Sequence, residues 1–127
     1  MDKVKFPQGY QQVMPYLILK DAGTFLTFMQ KTFGATEKMK HLREDGTIMH
    51  GEIFVGDSVF MFSQATPQYG ETPGSFFIYV HDADKSFADA IANGATKVMD
   101  VGDQDYGRSG GVMDTNGNTW WVTSVKA

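Results

Sequence analysis

Short apolar runs and helix-spaced apolar residues alternate along this chain in an order that occurs twice. The run at residues 14–19 ends at Asp21, and a second run at residues 75–80 ends at Asp82. An aspartate in that position can accept the unpaired N–H groups of a helix's first turn, so each predicts a helix start. Behind them, Phe25, Phe28, Met29 and Phe33, and later Phe87, Ala90 and Ile91, recur at helical spacing. Gly34 and Gly94 end the two periods with residues that accept left-handed backbone. A strand is then predicted over about 36–42 and again over about 96–101. A hairpin follows each, turning at Gly56-Asp57 or at Asn116-Gly117. Each half therefore reads β-α-β-β-β.

The two halves also align residue by residue. Tyr16-Leu17-Ile18-Leu19-Lys20-Asp21-Ala22 matches Phe77-Ile78-Tyr79-Val80-His81-Asp82-Ala83, and Gly34-Ala35-Thr36 matches Gly94-Ala95-Thr96. The segment from Gly51 to Phe62 matches the segment from Gly111 to Val122. Between the halves, residues 64–74 carry Pro67, Gly70, Pro73 and Gly74 and read as a linker. The expectation is one α+β domain spanning residues 1–127. Module one covers about 11–64 and module two about 74–125, and their curved mixed sheet forms a cup around a pocket.

A two-residue hairpin fixes strand register, and register decides which side chains share a face. With the first turn at Gly56-Asp57, Phe54 opposes Val59, Ile53 opposes Phe60, Glu52 opposes Met61 and His50 opposes Ser63. One face then carries Met49, Ile53, Phe60 and Phe62, all apolar and suited to lie under a helix. The other carries His50, Glu52, Phe54, Val59, Met61 and Ser63, a mixture expected of a ligand-pocket wall. By the repeat, the matching face of the second half carries Val112, Asp114, Thr119, Trp121 and Thr123, while Trp120 belongs to the core. In the leading strands, Leu17, Leu19, Ile78 and Val80 face the helices. Met14, Tyr16, Ile18, Ser75, Phe77 and Tyr79 are left for the concave side.

Composition narrows the possible chemistry. The chain has 127 residues, a formal charge of −4 and no cysteine. A small acidic chain without Lys/Arg runs does not suit a phosphate backbone or an anionic membrane. The missing thiols exclude disulfides, thiolate nucleophiles and Cys-ligated zinc. No apolar leader or membrane span is evident, so a cytoplasmic protein is expected. His50 and Glu52 are the imidazole and carboxylate expected on one pocket face, two residues apart, and such a pair suits general acid/base work. Tyr106, Gly107 and Arg108 fall in a polar stretch, Gly102 to Gly110, expected to cross the mouth of the cup. There Arg108 can grip an anion through its planar fork. Trp121 and Tyr79 are placed to stack on a planar ligand.

Pro15-Tyr16-Leu17-Ile18-Leu19-Lys20-Asp21-Ala22, Phe33-Gly34-Ala35, Met49-His50-Gly51-Glu52-Ile53, Gly56-Asp57-Ser58 and Tyr106-Gly107-Arg108 stand in a telling order, followed by Asp114, Gly117 and Trp120. In these motifs, from about residue 12 to residue 125, the chain resembles the glyoxalase/bleomycin-resistance superfamily, the vicinal oxygen chelate proteins, and specifically its PhnB-like branch. The resemblance implies paired βαβββ modules forming a cup, commonly in a homodimer. It also implies that metal-dependent members place their four ligands at positions that here are Met14, Met61, Ser75 and Trp121. None of these suits a hard divalent cation, which takes imidazole, carboxylate or several oxygens. The chain further departs from its branch at Asp114-Thr115-Asn116-Gly117-Asn118, where Asn118 replaces an expected histidine.

The resulting expectation is a metal-independent, cofactor-free protein that binds an apolar or aromatic small molecule. Its ligand contacts are Met14, Tyr16, Met61, Ser75, Phe77, Tyr79, Tyr106, Arg108 and Trp121. The alternative is an isomerase or lyase of the same fold that moves protons with His50 and Glu52, with or without a displaced metal.

Overall fold

The computed structural model describes residues 3–126. Module one is built from strand β1 (Tyr16–Leu19), helix α1 (Ala22–Phe33) and strands β2 (Thr36–Leu42), β3 (Ile48–Val55) and β4 (Ser58–Gln64). Module two repeats that order with β5 (Ser75–Tyr79), α2 (Ala83–Ala92), β6 (Thr96–Gln104), β7 (Gly107–Met113) and β8 (Thr119–Ser124). The α+β class and the doubled βαβββ order are those expected from the repeat. The eight strands divide into two four-stranded sheets, ordered β1-β4-β3-β2 and β5-β8-β7-β6. In each, the first strand runs parallel to the last and the other pairings are antiparallel.

The predicted helix caps are in place. Asp21 accepts a hydrogen bond from the Thr24 N–H at 3.1 Å, and Asp82 accepts one from Lys85 N–H at 3.1 Å. Gly34 closes α1 at φ 68°, in the left-handed region that favours glycine.

Across the Gly56-Asp57 turn the register is the one predicted, with Glu52 opposite Met61, Ile53 opposite Phe60 and Phe54 opposite Val59. Three other expectations need correction. Met49, expected under the helix, is 49% exposed, and Ile48 takes the core position. The cause is a bulge: His41 pairs with His50 and Leu42 with Ile48, which leaves Met49 without an opposite residue and reverses the faces beyond it. In module two, Met113 pairs with Thr119 around a loop of residues 114–118, longer than a two-residue turn. That loop moves Val112 opposite Trp120 and into the core, and the face that carries Trp121 carries Gly111 instead. Asp114 is consequently inside the loop, 5% exposed, and not on the concave face.

The third correction concerns the stretch from Gly102 to Gly110. It is a tight hairpin, because β6 continues to Gln104 and pairs there with Gly107. The glycines of β7 are not loop residues. A Cβ on Gly111 would meet the Trp121 ring at 2.6 Å, and one on Gly110 would meet Val101 at 2.7 Å and Phe87 at 3.2 Å.

The helix-facing sides of the two sheets share one core. Trp120 is fully buried there, with Phe76, Phe33 and Phe60 at ring-centroid distances of 4.9, 5.3 and 5.8 Å. Because these rings come from the helix sides of both sheets, the two concave sides face away from each other within one chain. The 114–118 loop ties the modules at their edge. The Asp114 carboxylate accepts from the backbone N–H of Asn116 and Asn118, from the Asn118 side chain, and from the Trp120 indole at 2.9 Å. The Asn116 amide accepts from Asp21 N–H at 2.7 Å and donates to the Asp21 carbonyl at 3.0 Å, and Asn118 accepts from Gly74 N–H at 2.8 Å. Position 118 is thus a buried structural one, remote in role from any ligand face. Among the described residues, no helix is long and apolar enough to cross a membrane.

The adjacent tryptophans should separate cleanly in an unfolding experiment. Trp120→Ala removes a buried indole and is expected to cost about 3–5 kcal/mol, whereas Trp121→Ala, on the open face, should cost far less. Urea denaturation of both variants checks this, and a larger loss for Trp121→Ala would contradict the register.

Candidate functional site

The concave side of module one holds a buried polar network. His50 and Glu52 sit two residues apart on β3, and His50 Nε2 lies 2.7 Å from Glu52 Oε2. Glu52 is 3% exposed. The Tyr10 hydroxyl donates to its other oxygen at 2.6 Å, and Lys38 Nζ stands 3.6 Å from that oxygen while donating to the Tyr10 hydroxyl at 2.8 Å. On the far side of the imidazole, the Tyr16 hydroxyl lies 3.3 Å from His50 Nδ1, with the rings 5.6 Å apart.

Each member is positioned by a local feature of the chain. Lys38 occupies a bulge on β2, because Glu37 pairs with Ile53 and Met39 with Glu52, so Lys38 is extra to the ladder. Tyr10 belongs to an N-terminal arm that crosses the concave side. The arm is fixed by Gln11, whose side-chain amide donates to the Val59 carbonyl at 2.7 Å and accepts from the Val59 N–H at 3.2 Å. Pro15, next to β1, has no N–H to offer in this place, and the Gln11 side chain supplies a substitute strand edge. Val59 is fully buried beneath it.

Burial pushes the Glu52 carboxyl upward. Hydrogen bonds from Tyr10 and His50, with the charges of His50 and Lys38, outweigh that push and hold it below the usual carboxylate range. Lys38 is in turn raised by its hydrogen bond to Tyr10 and by the nearby Glu52 carboxylate. With Glu52 ionised, an acceptor only, the His50 proton at Nε2 points toward it. The pair anticipated from sequence is therefore real as geometry. Tyr10, Gln11 and Lys38 were not anticipated: the arm lies outside the repeated pattern, and the bulge that turns Lys38 inward leaves no mark in hydrophobic alternation.

Module two offers a different, largely aromatic face. Trp121 lies against Gly111, and its indole N–H donates to Ser75 Oγ at 3.1 Å. Phe77 touches both Tyr79 and Tyr106, with centroids 5.3 and 5.8 Å away, and Tyr106 sits at the tip of the β6–β7 hairpin. Phe77, Tyr79 and Tyr106 are 50%, 68% and 52% exposed. Arg108 is not free to meet an anion, because it binds Asp84 through two nitrogens at 2.6 and 3.1 Å and Asp103 through a third at 3.1 Å. Its guanidinium is held even more firmly protonated than usual by these partners.

The superfamily's four metal positions do not fit a divalent cation here. Met14 and Met61 offer thioethers, Ser75 a hydroxyl, and Trp121 an N–H that donates and cannot ligate. Met14 sulfur accepts a contact from Gln11 N–H at 3.5 Å, and Met61 stands opposite Glu52. Met14 precedes β1 and Met61 lies on β4, whereas Ser75 and Trp121 lie on the other sheet, so one chain does not gather them. Among the described residues, no group of three His, Asp or Glu side chains is placed to hold a metal.

Two outward-facing sheets of the βαβββ kind, one bearing an acid–imidazole network around the buried Glu52 and one bearing aromatics, make up the molecule. The chain matches the family described as Glyoxalase/Bleomycin resistance protein/Dioxygenase superfamily over residues 10–122, and it belongs to that superfamily. An uncharacterised protein of Mycobacterium bovis is 30% identical over 118 residues, covering 84% of this chain and 78% of that protein. Among solved structures, TioX from Micromonospora sp. ML1 superposes with a TM-score of 0.74 at 24% identity, covering 91% of this chain and 99% of TioX. A PhnB protein from Bacillus cereus superposes with a TM-score of 0.71 at 15% identity, covering 91% of this chain and all of that one. At these identities the structural matches speak for the fold.

The depressed Glu52 carboxyl has a consequence for stability. A carboxyl with a folded value below its ordinary 4.5 stabilises the fold above that pH and loses the contribution as pH falls through the folded value. Glu52→Gln cannot show that loss. The stability difference between wild type and Glu52→Gln should therefore shrink as urea midpoints are measured from pH 7 down toward pH 3, and a difference that stays constant would contradict the network.

Proposed function

We propose that this chain is a metal-independent binding protein for an apolar or aromatic small molecule, working as a homodimer. The observation that carries this reading is the exposed aromatic face of module two. Phe77, Tyr79 and Tyr106 form a contiguous cluster that a monomer leaves in water, beside Trp121. Exposed apolar patches of this kind mark sites of association or ligand binding. Module one supplies the complementary wall, with Tyr16, Met61 and the His50–Glu52 pair. Since the concave sides of one chain face apart, a second copy is the simplest way to bring a module-one wall and a module-two wall together over a ligand. Isologous pairing closes two such pockets at once. The replacement of all four usual metal donors supports a role without a metal.

A second reading, an isomerase or lyase of the same fold, draws on the 2.7 Å contact between His50 and Glu52. Glu52 fixes the imidazole and leaves Nδ1 toward the Tyr16 side, an arrangement able to relay a proton. The binding reading is preferred because Glu52 is itself enclosed by Tyr10, His50 and Lys38 and held ionised, which makes it a structural anchor and a weak base.

Sedimentation at micromolar concentration is expected to give a species of twice 14.1 kDa. Elemental analysis after dialysis is expected to find no stoichiometric transition metal; one equivalent removed by His50→Ala would favour the enzyme. The neutral fluorescent probe N-phenyl-1-naphthylamine should bind the wild-type protein, and Tyr79→Ala or Trp121→Ala should weaken it by about tenfold while leaving the fold intact. Unchanged probe binding in both variants would place the ligand elsewhere.

A further inference from the structure

Beside the Tyr16–His50 pair, the concave side of module one continues into a groove of about 300 Å³ lined by Tyr16, Ile18, Arg43, Met49 and Tyr69, among others. Its outer wall is the inter-module linker. Thr72 N–H donates to the Ile18 carbonyl at 2.8 Å, and a turn with Thr66 N–H on the Tyr69 carbonyl at 2.9 Å and Tyr69 N–H on Thr66 Oγ1 at 3.0 Å holds Tyr69 over the groove. The bulge that expels Met49 from the core places it on the inner wall. The groove is thus built by secondary features of the chain, and its lining joins Tyr16, Ile18, Met49 and Tyr69 to the polar Arg43, Ser63, Gln64 and Thr66.

Arg43 is the distinctive residue in this lining. The chain has two arginines, and Arg108 is fully committed to Asp84 and Asp103. Arg43 has no ion-pair partner among the described residues. Its Nη1 donates to Thr47 Oγ1 at 3.2 Å and to the Ile48 carbonyl at 3.5 Å, and its Nη2 donates to the Gln64 carbonyl at 3.4 Å. These neutral acceptors fix the plane of the guanidinium without neutralising it, and of its five N–H groups they leave Nε–H and part of Nη2 uncommitted. Of the two acids that follow it, Glu44 is exposed, and Asp45 directs its carboxylate at the N–H and hydroxyl of Thr47, at 2.9 and 2.6 Å, hydrogen bonds that lower its carboxyl, with a smaller part from the Arg43 charge. The charge of Glu52 does not oppose an anion here, being enclosed by Tyr10, His50 and Lys38.

We propose that Arg43 is an anion anchor and that the groove takes a compact monocarboxylate with an apolar or aromatic body. The carboxylate meets the guanidinium fork, and the body lies against Tyr16, Tyr69 and Met49. One guanidinium without a direct ion-pair partner, followed by Glu44 and Asp45 on a chain of net charge −4, matches one negative charge and disfavours a dianion. The volume admits one or two rings. This inference rests on the binding function proposed above and specifies the class of ligand for it.

The test compares 2-naphthoate with its uncharged isostere 2-naphthamide by calorimetry. Naphthoate is expected to bind the wild-type protein at least about tenfold more tightly. Arg43→Gln should abolish that preference without changing the affinity for naphthamide, and Arg43→Lys should retain part of it. If Arg43→Gln does not fold, added salt provides the same contrast in wild type, weakening naphthoate and sparing naphthamide. Amide chemical-shift changes on adding naphthoate should include Ile18, Ser63 and Thr66; changes confined to module two would overturn the assignment. Equal affinity for the two probes would overturn the anchor while leaving the binding function in place, provided N-phenyl-1-naphthylamine still binds. Failure of all three probes to bind would overturn both.

Discussion

Trp120 is where the two repeats become one domain. Its indole packs on Phe76 of its own module and on Phe33 and Phe60 of the other, and its N–H is held by the Asp114 carboxylate. A buried indole needs an acceptor for its N–H, and Asp114 also organises the loop that grips Asp21 and Gly74. Apolar burial and loop chemistry therefore meet at one side chain. Because that meeting point lies between the helix sides of the sheets, everything else follows in orientation: the helices pack their apolar faces inward, and the concave sides are turned outward. A molecule assembled this way has two different open faces, and its chemistry is divided between them.

The division is chemical as well as spatial. Module one buries a carboxylate and surrounds it with a phenol, an imidazole and an ammonium, so that the charge is fully compensated within a few ångströms. Such a cluster is costly to break, since removing one partner leaves another buried and unpaired. It also ties the N-terminal arm to the sheet, because Tyr10 contributes the hydroxyl that joins Glu52 to Lys38. Among the described residues, module two has no comparable cluster on its concave side and presents rings there. A face stiffened by hydrogen bonds and a face of exposed aromatics are suited to different parts of one ligand.

Much of this was legible in the chain itself. The capping aspartates and the Gly56-Asp57 register follow from short-range rules, since each depends on spacing within a dozen residues, and the repeat carries that register to the second half, where it separates the buried Trp120 from the half-buried Trp121. The failures have one kind of cause. Met49 and Val112 were assigned to the wrong faces because a single extra residue, in a bulge or in the 114–118 loop, reverses alternation without disturbing composition. Asp114 was misplaced with Val112. Tyr10, Gln11 and Lys38 escaped because their partners are 28 to 48 residues away, and such pairings are set by tertiary structure alone.

The bulge at Lys38 has a counterpart. In module two, Lys97 pairs with Val112 and Met99 with Gly111, leaving Val98 extra in the same place. A residue that stands outside the ladder has no cross-strand partner to satisfy, so its side chain is free to change while the sheet keeps its register. The two copies hold a lysine and a valine at that position, one serving a buried carboxylate and the other half-exposed to water. The repeat thus carries a pair of equivalent sockets. Their divergence is a route by which one backbone acquires unlike halves, and a place where a protein engineer can alter one face without refolding the other.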